Sequence, residues 1–147
     1  MEKEIVILRN ILMSAALIEI SVGLLHFLMP YYLYDVASFH LLTENEKSFV
    51  TLLTLAIGIL LVAFGSVTVL FSKNITQLLD VLFIYLLIKV ALWLARVSLE
   101  LLYPIELKLF YIEPFTLVVL PGVIFEFVLF IYSLYLVSKL LKRKRLQ

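Results

Sequence analysis

Four apolar runs, each close to the ~20 residues an α-helix needs to cross a hydrocarbon layer about 30 Å thick, constrain this chain more than any other feature. They cover approximately residues 10–29, 49–71, 78–102 and 115–138, and are bounded by charge, Pro or polar clusters. Between Lys47 and Lys73 the second run has no charged residue at all. In lipid every backbone N–H and C=O needs a partner within the protein, so each run is expected to be a helix. Composition points the same way. AVILMFWYC residues make up 64% of the 147 positions and charged residues 16%, against roughly 45–50% apolar and 25% charged in soluble domains. Such a chain is neither disordered nor collagen-like. The expectation is an all-α, single integral membrane domain over residues 1–147.

Charge distribution predicts its orientation. Glu2 and Glu4 dilute the basic character ahead of the first run, and no small-residue cleavage site follows it, so that run reads as a retained span rather than a signal peptide. Lys3, Arg9, Lys73, Lys139, Lys142, Arg143, Lys144 and Arg145 fall on one side of the spans. The other side carries Lys47 and Lys108 with Asp35, Glu44, Glu46, Glu106 and Glu113. The positive-inside rule then puts both termini in the cytoplasm of a multi-pass cell-membrane protein. The short polar turn at residues 72–76 makes its flanking spans antiparallel, giving an up-down-up-down four-helix bundle. Pro30-Tyr31-Tyr32-Leu33-Tyr34, Tyr103-Pro104 and Phe110-Tyr111 open or line the outer loops, as suits an aromatic belt with short interfacial helices. The basic tail, residues 139–147, fixes topology and touches anionic lipid.

Several chemistries are excluded. The chain has no Cys, so disulfides, thiolate nucleophiles and iron–sulfur ligation are absent. A net charge of +1 does not recommend nucleic acid as a partner. His26 is the only histidine inside a span, and no helical His-Glu pair at i, i+3 or i+4 exists, so no intrinsic metal is expected. Phosphate loops, nucleophile elbows and H-E-x-x-H are missing, and the reading leans away from an enzyme.

Buried charge is the informative residue. Glu19, Lys89 and Glu126 each fall near the middle of a span, roughly 15 Å from either edge. A lone charge at that depth costs about 2.5–3.5 kcal/mol, so the three are expected to meet as an acid–base–acid cluster. His26 and Arg96 follow Glu19 and Lys89 by seven residues and would form a second layer. On the third span Tyr85, Lys89, Trp93, Arg96, Glu100 and Tyr103 recur at steps of three and four, a polar or aromatic stripe expected to face inward and line a crevice opening outward. Thr51, Thr54, Gly58, Gly65 and Thr68 form a small-residue packing seam on the second span. Pro121-Gly122, one turn ahead of Glu126, can kink the fourth. The cluster reads equally well as a structural lock on helix register and as a proton- or substrate-handling device. Arg96 reads first as an interfacial partner of Glu100, and His26 as an interfacial hydrogen-bonded side chain.

The stretch Gly23-Leu24-Leu25-His26-Phe27-Leu28-Met29-Pro30 resembles the G-x-x-H-F-x-x-P segment of the DoxX-like group of small four-span membrane proteins. Gly58 and Gly65 ahead of Leu70-Phe71-Ser72-Lys73 are compatible with it. The resemblance covers the first half of the chain and implies a membrane subunit of a quinone-linked oxidoreductase; Lys89, Trp93 and Arg96 have no counterpart in it. Three functional readings follow. The first is an accessory protein or complex subunit, partnered by the bilayer, by other membrane subunits or by its own copies, whose outer crevice holds a lipid, quinone or partner helix without any further cofactor. The second is a small proton-coupled carrier using the midplane carboxylates. The third is a membrane enzyme acting on a lipid-soluble substrate.

Overall fold

The computed structural model describes residues 2–104, 112 and 116–146. Glu106, Lys108, Phe110, Tyr111, Glu113, Pro114 and Phe115 lie outside the described residues, and with them part of the second outer loop. Four long helices are present: α1 (Glu2–Leu33), α3 (Glu44–Lys73), α4 (Leu79–Leu102) and α5 (Thr116–Lys144), with a single turn, α2 (Ala37–His40), between the first two. Each of the four is long and apolar enough to cross a membrane.

The helices overrun the apolar windows for local reasons. At its start α3 has a capping box, in which Thr43 and Glu46 exchange side-chain and backbone hydrogen bonds, so the helix begins five residues ahead of the apolar run. Helix α1 continues through Pro30, which the sequence places in a loop. A proline this close to a helix end forfeits one bond, to the His26 carbonyl, and leaves the last turn intact. Tyr34 N–H still reaches the Pro30 carbonyl at 3.3 Å. Asn74 closes α3 by donating its side-chain amide to the Leu70 carbonyl at 2.9 Å, and Ile75 is buried beneath the short turn into α4.

Helix α1 packs against α3 and α5, and α5 packs against α4. The α1–α3 seam is the tightest because glycines remove the side chains between the backbones. A Cβ at Gly58 would lie 2.9 Å from the Gly23 carbonyl oxygen and 3.0 Å from His26 Cβ, and one at Gly65 would lie 2.9 Å from the Ala16 carbonyl oxygen. Backbone oxygens cannot step aside as a side chain can. Gly58→Ala is therefore expected to prise α1 from α3 and cost upward of about 1 kcal/mol, read as a lower thermal midpoint in detergent. An unchanged midpoint would mean that the two helices tolerate a wider spacing.

Burial is lopsided along the bundle. Leu8, Leu12, Leu82, Leu86, Phe130, Val137 and Leu140 pack into one apolar core toward the end of the bundle where α1 begins and α5 finishes. Beyond Glu19, Lys89 and Glu126 the buried apolar side chains among the described residues are Val123 and, in the α2 turn, Phe39. The core end is also held by charge: Glu4 pairs with Lys139 at 2.7 Å and Arg143 at 2.5 Å, and Asp80 with Lys144 at 3.2 Å. Three cations of the basic tail thus serve the chain itself.

Candidate functional site

The heptad-like spacing of α4 sends Leu82, Leu86 and Lys89 to its buried face, and the next inward position is Trp93. Helix α1 brings Glu19 to the same level through the face that carries Leu8, Leu12, Ala15 and Ala16. The Lys89 ammonium and the Glu19 carboxylate form an ion pair at Oε1, and the Trp93 indole N–H donates to the same oxygen at 3.3 Å. The second oxygen, Oε2, has no hydrogen-bond partner among the described residues. The ammonium also sits over two rings, 4.9 Å from the Phe64 centroid on α3 and 4.7 Å from that of Phe130 on α5. Such cation–π contacts gain strength where water is excluded. Trp93 stacks on Phe130 at 6.3 Å between centroids. Four helices thus converge on one lysine.

Glu126 is placed differently from the acid–base–acid expectation. It lies within electrostatic reach of both Glu19 and Lys89, yet makes no ion pair, and neither of its carboxyl oxygens has a hydrogen-bond partner among the described residues. Its exposure is 1%, with Glu19 at 1% and Lys89 at 2%. These values matter: the pair is sealed, so the polar stripe of α4 does not open a path to Lys89. Phe64, Trp93 and Phe130 occupy the space around the ammonium that a crevice floor would need.

The remaining stripe residues divide between the two ends. Tyr85 lies on the core side of Lys89, where its hydroxyl is 2.7 Å from Thr68 Oγ1 and 3.0 Å from the Phe64 carbonyl oxygen, and its ring meets Phe71. It is a tie between α4 and α3 and not a crevice residue. On the far side Arg96, exposed on its helix, pairs with buried Glu100 at 2.7 Å, and Thr116 at the start of α5 donates to Glu100 at 2.9 Å. His26 does not join them. Its Nδ1 donates to the Val22 carbonyl of its own helix at 2.8 Å, and its Cβ lies along the Gly58 contact. The second layer is therefore two separate local contacts.

The seam on α3 also sorts by residue type. Gly58 and Gly65 make it; Thr54 donates back to the Val50 carbonyl at 2.8 Å, Thr51 is half-buried, and Thr68 belongs to the Tyr85 tie. Ala16 and Gly23 on α1, which complete the seam, were not singled out as packing residues, although their spacing of seven mirrors that of Gly58 and Gly65. Ser133, seven residues beyond Glu126 on α5, is a further buried polar group whose Oγ has no partner among the described residues, and its apolar neighbourhood in the sequence gives no sign of it. Among the described residues no cluster of His, Asp and Glu is fit to hold a metal ion. Compared with protein-family models, curated proteins and solved structures, the chain matches none.

Proposed function

We propose that this chain is a small integral membrane accessory protein or complex subunit, which holds a lipid, a quinone or a partner helix between the halves of its spans that lack an apolar core. The lopsided burial carries the reading. One end is a packed and charge-clamped anchor; beyond the Glu19–Lys89 level the inward faces of four long helices bury little among the described residues. Helices that leave inward apolar positions uncovered have room for an apolar guest, because in lipid it is close packing that holds helices together. The resemblance of residues 23–30 to the DoxX-like group favours a quinone among such guests.

An up-down-up-down bundle with both termini cytoplasmic belongs to the same proposal. The contacts run in opposite order along neighbouring helices: Gly23 meets Gly58 whereas Ala16 meets Gly65, and Asp80 meets Lys144 whereas Glu100 meets Thr116. The positive-inside excess supplies the orientation. The end with few buried apolar side chains among the described residues then faces outward, with Arg96 on it.

Native mass spectrometry of the protein released from mild detergent is expected to show a bound lipid or quinone, or a second membrane protein, that survives detergent exchange. A bare monomer with no retained mass, at native fold, would overturn the reading.

A further inference from the structure

The buried charges at the level of Lys89 do not balance in pairs. Two carboxyl groups, from α1 and α5, face one ammonium from α4, and α3 brings no charged residue to that level. Among the described residues only Glu19 is paired. Glu126 is sealed to 1% exposure, and both its oxygens are unpartnered among the described residues. A bare carboxylate so placed, with no donor and no cation of its own, is expensive, whereas the un-ionised acid is tolerated in an apolar setting. The Lys89 seat is built from two helices. Its ammonium lies over the Phe64 ring of α3 and over the Phe130 ring of α5, and Phe130 follows Glu126 by one turn of α5. A lysine stem with rotatable bonds and a cation held by ring faces can turn from one acid to the other without leaving its aromatic surround.

We propose that Glu126 is a proton-binding site, and that Lys89 is a cation shared by Glu126 and Glu19, pairing with whichever of them is ionised. The step is a proton transfer between the two acids coupled to the turn of Lys89, with no other bond made or broken. When Lys89 turns to Glu126, that acid gives up its proton and Glu19 accepts one, so the cluster keeps one ammonium, one carboxylate and one carboxylic acid throughout. The groups that face Glu126 are Glu19 from α1 and Lys89 from α4, with the Tyr85 hydroxyl one turn away on α4. This goes beyond ligand holding and does not need a ligand.

Infrared difference spectroscopy of the purified protein in detergent, read at the carbonyl stretch of an un-ionised carboxylic acid, tests it. The wild type is expected to show one buried acid band, and E126Q to lose it. The shared cation makes a second prediction that a fixed neutral Glu126 does not: in E19Q, Lys89 pairs with Glu126, which ionises, so the band is lost there too. Both substitutions are close in shape to the native side chain, and thermal unfolding establishes that each variant is folded before its spectrum is compared. A band missing from the wild type, or retained in E126Q, overturns the proton site; a band retained in E19Q overturns the sharing of Lys89. A bare monomer in the mass-spectrometric experiment leaves these outcomes unchanged, so the two proposals fail separately.

Discussion

Lys89→Met is expected to lower the stability of the folded protein by about 3–5 kcal/mol, the cost of stripping one partner from a buried ion pair. Methionine fills much of the volume of the lysine stem, so the loss reports charge more than packing. Glu19 is then left sealed with neutral hydrogen-bonding neighbours, the Trp93 N–H among them, next to a second acid in Glu126. The double variant Glu19→Gln/Lys89→Met restores most of the loss, because the glutamine carbonyl still accepts from Trp93 and carries no charge. Thermal unfolding of the two single variants and the double in one detergent gives the coupling directly. If Lys89→Met alone is neutral, the ion pair contributes nothing to the fold. If the double variant is as unstable as Lys89→Met, packing rather than charge explains the single.

Length and polarity make the four helices readable in the sequence, since a run of twenty apolar residues has few alternatives in lipid. The boundaries were less legible because they depend on backbone capping, which hydropathy does not sense. Thr43 and Glu46 were visible as residues, but an apolar window starts where charge stops. Depth was readable too: Glu19 and Lys89 do meet, since charges at one height on inward faces have little else to meet. What counting cannot supply is stoichiometry at the contact. Three charges at one height suggested a triad, yet a lysine offers one ammonium, and the side chain that fits beside it through Trp93 and two rings is Glu19. The inward stripe on α4 was likewise legible as a face, whereas its occupancy by Phe64 and Phe130 from other helices was not, because neither residue differs in the sequence from any other membrane-facing phenylalanine.

Glu126→Leu is expected to act in the opposite sense and raise stability by about 1–3 kcal/mol, the usual cost of a buried polar group left without a partner. The reasoning is local. Both carboxyl oxygens are unpartnered and the residue is sealed, so the substitution removes a desolvated group and forfeits no hydrogen bond; leucine then packs where Phe130 and Val123 already bury apolar surface on the same helix. It also leaves Glu19 as the one acid facing Lys89 among the described residues, removing any competition for the ammonium. A residue that lowers the stability of its own fold is retained where activity requires it, so the gain in thermal midpoint should come with loss of the carboxylic acid band, and Glu126→Gln should recover neither the band nor most of the gain, since an amide brings its own unpaired donor. Were Glu126→Leu to unfold more readily than the wild type, Glu126 would have a stabilising partner that the bundle conceals, and its role would be that of a third structural charge.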